Sequence, residues 1–439
     1  MKKWLALTMI AALFVVAACG GSNGNGGSTN KPAANSATEA PKSTEAPKAT
    51  EAPVVDPSDI APEADATLVV WDSKNQRTVL EEITKEFTAK YNIPVKIEEV
   101  ESPDQVGKLT TDGPAGIGAD VVTFPHDNLG KAVAAGLVFP NDFYEEKTKN
   151  ENAEAAVNAV TSGGILYGYP RSVETYGLFY NKDLVTNVPA TFEELVEFSK
   201  TFNDTANNKY GVMWEVGNFY FNYIFFATNG GYVFGSNGED PADIGLNNDG
   251  AVAGMKYFQS LKELLPINSG DISGDIIESK FADGSIAMTI TGPWKVGDFR
   301  NRGINFGVAP IPSINGDAAI SFSGVKAWYV NSYTKYPKAS RLLASFLASK
   351  DSQLKDFAAT GAIPSNTEAM NDPAFTSDEL ASGFAAQFVN STAMPSIPEM
   401  NSVWDPVGAA LSDIWNKGTD PKAALDNAVQ QIKDASTKK

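Results

Sequence analysis

The sequence has little of what many enzymes and nucleic-acid-binding proteins need: 439 residues contain one cysteine, one histidine and few basic residues. One cysteine excludes an internal disulfide and a thiolate zinc site, and one histidine excludes a multi-histidine metal site. Lysine and arginine number 35 against 53 aspartates and glutamates, which argues against nucleic acid as a partner because phosphates need a basic surface. Any chemistry must rest on carboxylates, amides and aromatic rings, and no cofactor or metal is expected.

The N-terminal end of the chain has the pattern of an export signal. Met-Lys-Lys is followed by an apolar run from Trp4 to Ala18 and then by Cys19, the only cysteine. A basic start and a short apolar core predict a signal peptide over residues 1–18, because a membrane-spanning helix needs about 20 apolar residues. The small residues before Cys19 resemble a bacterial lipobox, so we expect Cys19 to become a lipidated N-terminus. An ordinary signal peptide that happens to precede a cysteine is the alternative.

Residues 19–65 form a second zone of unusual composition. Glycine, serine and asparagine dominate residues 20–30, and Thr-Glu-Ala-Pro then recurs at Thr38, Thr44 and Thr50. Proline interrupts the hydrogen bonds of helices and sheets, and the zone holds almost nothing apolar to bury. We therefore expect residues 19–65 to be a disordered tether that holds the rest of the protein at the membrane, with a cleaved pro-segment as the alternative.

The remainder of the chain, residues 66–439, alternates short apolar strands with amphipathic helices. Strand patterns lie at 67–71, 95–97, 120–124, 176–180 and 284–290, and helical patterns lie at 79–91, 404–415 and 421–432. The β-α-β-α order at the start predicts an α/β fold with a mainly parallel sheet and helices on both faces. The body exceeds the usual size of a single core, so we expect two α/β lobes with a cleft between them.

Polar residues follow two of these strand patterns, where ligands bind in open α/β sheets. The candidates from topology alone are Asp72, Ser73, Lys74, Phe124, His126, Asp127 and Asn128. His126 beside Asp127 suggests a catalytic pair, but no activated serine motif accompanies it, so a structural or supporting histidine is expected.

Aromatic residues crowd into a short segment between Trp214 and Phe226, where Glu215, Asn218 and Asn222 interrupt them. Apolar walls with a few placed polar groups are typical of small-ligand sites, and pyranose rings stack their C–H faces on aromatic rings. We expect Phe226 and its neighbour at position 225 to belong to the core, and we leave open whether the rings at 220 and 221 face a ligand or the core.

An ordered set of short motifs runs through the body. It comprises Tyr169-Pro170, Glu174, Tyr180-Asn181-Lys182-Asp183-Leu184, Asn218-Phe219-Tyr220-Phe221, Gly230-Gly231-Tyr232, Thr291-Gly292-Pro293-Trp294 and Met394-Pro395-Ser396-Ile397-Pro398 with Trp404. This set is similar to that of the maltose/maltodextrin-binding proteins of ABC importers, a group of extracellular solute-binding proteins with lipid-anchored members. The resemblance implies a two-lobed, type II periplasmic-binding fold in which each lobe is a mixed sheet flanked by helices and the ligand occupies the interlobe cleft.

The resemblance also implies domain boundaries and site residues. The expected N-lobe is 66–173 plus 326–376, the expected C-lobe is 177–321 plus 380–439, and the chain is expected to cross near 173–176, 321–326 and 373–380. The ligand-binding residues that it implies are Asp72, Lys74, Phe124, Asp127, Glu174, Asn218, Tyr220, Phe221, Trp294, Met394 and Trp404.

These patterns lead to one hypothesis and two alternatives. The hypothesis is a monomeric, lipid-anchored receptor, not an enzyme, on the extracellular face of the cytoplasmic membrane. It captures maltose, maltodextrins or cyclodextrins and passes them to the permease subunits of an ABC transporter. One alternative is a receptor of the same fold for another oligosaccharide or solute. The other is a secreted glycosidase that uses a pair among Asp72, Asp127 and Glu174, since glycosidases place two carboxyl groups about 5–10 Å apart.

Overall fold

The structure, a computed structural model, describes residues 59–436. The predicted signal peptide, Cys19 and most of the predicted tether lie outside the described residues. The described part forms two α/β lobes, each built on its own sheet. We call the lobe that begins at Leu68 the first lobe and the lobe that begins at Gly177 the second lobe.

Fourteen strands lie within residues 59–436. In chain order they are β1 (Leu68–Asp72), β2 (Val95–Glu99), β3 (Val121–Pro125), β4 (Thr161–Ser162), β5 (Ile165–Leu166), β6 (Tyr169–Glu174), β7 (Gly177–Asn181), β8 (Tyr210–Met213), β9 (Asp240–Ile244), β10 (Ile286–Thr291), β11 (Phe306–Ala309), β12 (Ser321–Val330), β13 (Ile363–Pro364) and β14 (Ser391–Ala393).

The α-helices of the same residues surround the sheets. They are α1 (Arg77–Tyr91), α2 (Gln105–Asp112), α3 (Leu129–Ala134), α4 (Glu145–Glu151), α5 (Glu154–Ala159), α6 (Phe192–Phe202), α7 (Phe219–Ala227), α8 (Gly235–Gly238), α9 (Asp249–Ser260), α10 (Gly274–Ala282), α11 (Val296–Asn301), α12 (Pro337–Leu347), α13 (Lys350–Thr360), α14 (Thr367–Met370), α15 (Pro373–Thr376), α16 (Glu379–Phe388), α17 (Trp404–Lys417) and α18 (Pro421–Ser436).

Both sheets are mixed. The first-lobe sheet has the order β13-β6-β12-β3-β1-β2, and β14 adds to the end of β12. Strands β1, β2 and β3 are parallel, and so are β12 and β14, whereas β12 runs antiparallel to β3 and β6. The second-lobe sheet has the order β11-β7-β10-β8 with one parallel pair, β10 and β8. The mixed sheets implied by the family resemblance are confirmed, and the mainly parallel sheet predicted from strand–helix alternation is wrong beyond β1 to β3.

Alternating side chains of β1 explain the layers of the first lobe. Leu68 and Val70 pack with apolar residues of α1 and α12 on one face of the sheet. Trp71 joins a separate cluster with residues of α2 on the opposite face. A strand that is buried on both faces is typical of a sheet covered by helices on each side. The carboxyl end of β1 is therefore left as the open edge where polar residues can meet a ligand.

Local capping residues explain where two helices of the second lobe begin. Thr191 caps α6, because its hydroxyl accepts the Glu194 N–H at 3.1 Å, and the Glu194 carboxylate accepts the Ala190 N–H in return. Asn248 caps α9 by accepting the Ala251 N–H at 2.8 Å.

The chain passes between the sheets at two clear places. β6 ends at Glu174 in the first lobe and β7 begins at Gly177 in the second. β12 carries Phe322 in the apolar core of the second lobe and Trp328 in that of the first lobe, so one long strand connects the two lobes. These passages lie near two of the expected crossings, while the exact lobe boundaries stay a prediction.

The predicted tether extended to residue 65, but its last residues contact the body. The Ile60 N–H donates to the Tyr144 hydroxyl at 3.1 Å, and the Glu63 carboxylate accepts the Ala339 N–H at 2.9 Å at the start of α12. An acid at a helix N-terminus is favourable, which explains the attachment. Within residues 59–436, no helix has both the length and the apolar character needed to cross a bilayer.

Candidate functional site

A cavity of about 500 Å³, which we call the cleft, lies between the two lobes. Its first-lobe wall consists of Ser73, Asn75, Gln76, Glu101, Ser102, Pro103, Pro125, Asp127, Asn128, Glu174 and Lys326. Its second-lobe wall consists of Glu215, Asn218, Tyr220, Phe221, Trp294, Met394 and Trp404. The two walls touch where the Asn75 amide donates to the Trp294 carbonyl at 3.4 Å. Eight of the eleven predicted ligand-binding residues line this cavity.

The first-lobe wall is polar because it consists of strand ends. β1, β2 and β3 are parallel, so the segments that follow them meet at one edge of the sheet, as the rule for open α/β sheets predicts. Glu174 ends β6, and Lys326 lies at a bulge of β12 opposite that strand. Bulges often redirect a side chain next to a functional site, which accounts for a lysine in the middle of a strand facing the cleft.

Behind this wall, Asp72 belongs to a buried ion network rather than to the cleft. Its side chain is 1% exposed, and Arg171 donates to it at 2.6 Å. The same guanidinium donates to Asp356 at 2.6 Å and to Gln76 at 2.8 Å, and it packs on the Trp328 ring. Asp72, predicted as a ligand-binding residue, therefore does not line the cleft, because its carboxylate pairs a buried arginine.

Two further predicted residues do not line the cleft. Phe124 is fully buried, and its ring stacks on Tyr329 with centroids 3.9 Å apart. It points inward because β3 alternates its side chains and this position faces the core. The Lys74 side chain is exposed outside the cavity, and its backbone N–H donates to Glu101 at 3.3 Å. Its neighbours Ser73 and Asn75 line the cleft instead.

Two carboxylates of the cleft, Asp127 and Glu174, have raised pKa values. Burial raises the pKa of Asp127 to about 7, and the nearby negative charge of Glu174 adds to the increase. Hydrogen bonds from the side chains of Asn128 and Trp404 oppose it. Burial also raises the pKa of Glu174, and the positive charges of Lys326 and Arg171 oppose that rise. The first-lobe wall thus carries one carboxyl group that changes its charge near neutral pH.

His126 is a structural residue, as its sequence context suggested. It is 2% exposed, its Nδ1 accepts the Val325 N–H at 3.1 Å, and its Nε2 donates to the Met394 carbonyl at 2.9 Å. Burial lowers its pKa to about 4, so the ring is neutral and bridges β12 to the segment that carries Met394. The same segment approaches Gly130 so closely that an added Cβ would lie 2.5 Å from the Ser396 carbonyl oxygen.

The second-lobe wall is aromatic and begins with the first turn of α7. Asn218 caps this helix by accepting the Tyr220 N–H at 3.0 Å, which places Tyr220 and Phe221 side by side at the cleft. Their ring centroids are 5.3 Å apart, and that of Trp294 lies 6.1 Å from Tyr220. Both rings whose orientation the sequence left open therefore contribute to the site, although Phe221 is largely buried.

The turn after β10 explains how Trp294 is presented. Gly292 lies directly under the indole, and an added Cβ would lie 2.1 Å from ring atoms of Trp294. Only glycine allows this approach, and Pro293 then begins the short 3₁₀ turn Pro293–Lys295. The Thr-Gly-Pro-Trp motif thus allows the Trp294 ring to pack over the backbone of Gly292 beside the cleft.

One of the two amides between the aromatic residues, Asn222, has a different role from the one expected. Asn222 is fully buried, its Oδ1 accepts the Trp214 indole N–H at 2.9 Å, and its amide donates to the Asn218 carbonyl at 2.7 Å. It therefore holds the turn before α7 together and does not face a ligand. Phe225 and Phe226 are fully buried, which confirms them as core residues.

Sequence reasoning missed three charged residues of the cleft: Glu101, Glu215 and Lys326. Glu101 follows β2, so the strand-end rule that singled out the residues after β1 and β3 could have found it. Glu215 lay within the aromatic segment but received no role. Lys326 had no local signal, because its position depends on the bulge of a strand that crosses between lobes. Within residues 59–436, no group of three or more potential metal ligands comes together.

Comparison with known proteins places the chain in a family. The sequence profile described as "bacterial extracellular solute-binding protein" matches residues 82–383. The chain belongs to this family. The lobes and the cleft described above are therefore those of a solute-binding protein.

Individual relatives match nearly the whole body. A galactooligosaccharide-binding protein of Bacillus subtilis is 35% identical over 376 residues, which cover 83% of this chain and 88% of that protein. A maltooligosaccharide ABC transporter solute-binding lipoprotein of Streptococcus pneumoniae is 32% identical over 396 residues, covering 87% and 92%. A crystal structure of a cyclo/maltodextrin-binding protein complexed with maltotetraose aligns with a TM-score of 0.72 at 40% identity and covers 85% of this chain and 98% of that one.

Proposed function

We propose that this protein captures maltooligosaccharides in the cleft and delivers them to an ABC transporter while a lipid on Cys19 holds it at the extracellular face of the membrane. The observation that carries the proposal is the pairing of a wall of carboxylates and amides with a wall of rings across one cavity. Carboxylates accept hydrogen bonds from sugar hydroxyls, and side-chain amides can both accept and donate them. Aromatic rings cover the C–H faces of the pyranose.

The proposed ligand-binding residues are those that line the cleft with groups suited to a sugar. They are Glu101, Asp127, Glu174, Glu215, Asn218, Tyr220, Phe221, Trp294, Lys326, Met394 and Trp404. The proposed sequence of events is binding without a covalent step. A sugar that contacts both walls stabilises the arrangement in which the walls are close, and this population shift presents the closed form to the transporter.

The names of relatives support two sugar classes. The maltooligosaccharide lipoprotein and the structure with bound maltotetraose support α-glucans. The galactooligosaccharide-binding relative supports a galactose-based oligosaccharide as the second candidate. We favour α-glucans because the names of two of these three relatives refer to maltooligosaccharides or maltodextrins. The titration below separates the two classes of sugar.

Isothermal titration of the purified full chain in detergent, with maltotriose, a cyclodextrin and a galactotriose in parallel, tests the sugar class. We expect saturable binding of maltotriose with a change in tryptophan fluorescence, because Trp294 and Trp404 line the cleft. Saturation by the galactotriose alone would replace the α-glucan with the second candidate. If none of the three sugars binds, the proposed function fails.

Three further measurements test the remaining parts of the proposal. Glu174→Gln should weaken maltotriose binding by about tenfold, because a partly buried carboxylate loses a charge-assisted hydrogen bond, whereas Glu154→Gln on the exposed face of α5 should not. Incubation of wild type with maltotriose should release no shorter sugars, and products that disappear in Glu174→Gln would favour a glycosidase.

Cys19→Ser should release the protein from membranes, and retention would contradict the lipid anchor.

A further inference from the structure

A second cavity, which we call the edge groove, lies on the first lobe between α1 and β2 and has a volume of about 720 Å³. It shares no lining residue with the cleft. β2 is the last strand in the order of the first-lobe sheet, and no strand within residues 59–436 pairs with its outer edge. Natural proteins usually cover or protect such an edge, because its unpaired backbone groups can bind another extended segment.

The edge groove has an apolar floor and a charged rim. Val95 and Ile97 of β2 form the floor, where they are half-buried and pack against the apolar core of the first lobe. Arg77 and Lys96 of the rim already pair with acids, whereas Lys85 forms no ion pair within residues 59–436. A short extended segment with apolar side chains and a negative charge therefore suits this surface.

The described part of the chain begins at one end of the edge groove. The Asp59 carboxylate accepts a hydrogen bond at 2.6 Å from the hydroxyl of Tyr91, the last residue of α1. Ile60 packs against the same apolar core as Val95. Thr88, one turn before Tyr91, lines the groove near this end. The residues directly before Asp59 therefore start beside the groove, and their covalent attachment gives them a high effective concentration there.

Residues 53–58 have the composition and the length that this groove requires. Apart from proline, Val54 and Val55 are the only apolar residues larger than alanine within positions 20–58. Asp56 follows them, and residues 53–58 contain no lysine or arginine. Six extended residues span at most about 20 Å. The part of α1 that lines the groove rises by about 17 Å, so the segment can cover the groove from end to end.

We propose that residues 53–58 dock in the edge groove as an extended strand beside β2. Because the chain reaches Asp59 at the end of the groove where β2 begins, the docked segment runs antiparallel to β2. Strand addition to an exposed sheet edge is a common mode of peptide recognition, in which backbone hydrogen bonds provide affinity. Side chains alternate along a strand, so one of the two valines covers the apolar floor, and Asp56 lies beside the positive charges of the rim.

Docking changes the point at which the chain leaves the first lobe. Asn75 and Gln76 line the cleft and directly precede α1, which then runs about 22 Å away from the cleft to Tyr91. Without docking, the chain leaves at Asp59, beside the far end of α1. With docking, it leaves near Arg77, beside the cleft, so a lipid anchor holds the protein by the cleft end of the first lobe. This consequence rests on the proposed lipid anchor, whereas the docking itself depends on neither the anchor nor the sugar.

Distances between two spin labels on the full chain test the docking. Every sample carries Cys19→Ser, so that labels react only with introduced cysteines, and a first label at Pro53→Cys. The second label is placed at Thr78→Cys, exposed in the first turn of α1, or at Pro94→Cys, exposed just before β2. We expect narrow distance distributions, with position 53 closer to position 78 than to position 94 by about 10 Å. Broad distributions, or distances that do not favour position 78, would overturn the proposal.

Matched variants test what holds the segment. Val54→Lys with Val55→Lys should broaden both distributions, because the floor loses its apolar partner and the rim repels the added charges. Ala33→Lys with Ala34→Lys makes the same change of charge outside the segment and should leave both distributions narrow. Narrow distributions that survive the valine changes would contradict docking in the edge groove. A distance measured between two chains that each carry only Thr78→Cys would assign the groove to a second copy of the chain and overturn the proposal.

Discussion

The two walls of the cleft differ in what they offer a ligand and in what supports them. The first-lobe wall consists of strand ends and carries Glu101, Asp127, Glu174 and Lys326, so it offers charges and hydrogen bonds. The second-lobe wall presents the rings of Tyr220, Phe221, Trp294 and Trp404 and offers apolar surface. The comparison suggests that one wall selects hydroxyl patterns while the other provides affinity for any pyranose face.

The support behind each wall matches its chemistry. Behind the polar wall, Arg171 joins two aspartates and a glutamine in a buried network. Behind the aromatic wall lies an apolar core in which Tyr223 stacks on Phe322 with centroids 3.6 Å apart. The polar wall should therefore depend on a few specific contacts, and the aromatic wall on packing spread over many residues. Four predictions test this difference.

The largest effect is expected from Arg171→Leu. This change leaves Asp356 buried without its cation and leaves Asp72 with only Lys326, whose Nζ lies 4.0 Å away, and breaking a buried pair in this way typically costs about 3–5 kcal/mol of folding free energy. Chemical denaturation of the ligand-free protein measures it. Arg77→Leu removes an arginine whose partners Glu81 and Glu99 are exposed, and it should leave stability nearly unchanged. Equal losses for the two variants would show that the buried network does not support the polar wall in particular.

Much of the fold that supports these walls could be predicted from the sequence. The strand patterns at 67–71 and 120–124 lie within one residue of β1 and β3, and α17 and α18 begin where their helical patterns begin. Local periodicity and capping determine such elements. The mixed direction of the sheets was not accessible to the same reasoning, because the direction of β12 depends on strands far away along the chain.

The site residues, like the fold, fall into those that local sequence patterns predict and those that depend on distant contacts. Strand-end reasoning found Asp127, because any polar residue at that edge tends to face the cleft. It could not show that Asp72 lies behind the wall, because the partner that buries this carboxylate, Arg171, lies 99 positions away. It failed for Phe124 because the ring of Tyr329 covers it from another strand. Sequence patterns indicate which edge a residue occupies, whereas burial depends on contacts between distant parts of the chain.

The second prediction removes one ring from the aromatic wall. Trp294→Ala should weaken maltotriose binding by about thirtyfold, which corresponds to about 2 kcal/mol and is typical of a central tryptophan in a binding site. Trp294→Phe should recover most of the affinity, because a smaller ring can still cover a pyranose face. Phe143→Ala, at a ring that is 51% exposed on the first lobe, is the control. If calorimetry finds that Trp294→Ala binds maltotriose as tightly as wild type does, ring stacking by Trp294 does not contribute to the affinity of the aromatic wall.

The third prediction uses the raised pKa of Asp127. Burial moves this pKa from 3.8 to about 7, so the folded protein binds the proton more tightly than the unfolded chain does. Protonation of Asp127 therefore contributes its full stabilisation of the folded protein below about pH 4, and this contribution is lost as the pH rises through about 7. Asn cannot ionise, so the Tm of ligand-free Asp127→Asn should rise relative to wild type between about pH 5 and pH 8, by about 3 °C or more. Glu154→Gln, at an exposed acid, should show no such trend, and a parallel trend in both variants would argue against a buried Asp127.

The smallest effect is expected at the rim of the polar wall. Glu101 and Glu174 both line the cleft, but Glu101 is exposed to solvent and Glu174 is partly buried at the end of β6. A hydrogen bond from a sugar to an exposed carboxylate replaces one from water, so its net contribution is small, whereas a buried carboxylate left without its partner loses more. Glu101→Gln should therefore change the Kd for maltotriose by about twofold or less, against about tenfold for Glu174→Gln in the same titration. Equal losses of affinity would mean that the contribution of a carboxylate does not depend on its burial within the cleft. Each carboxylate of the polar wall would then contribute through its charge alone.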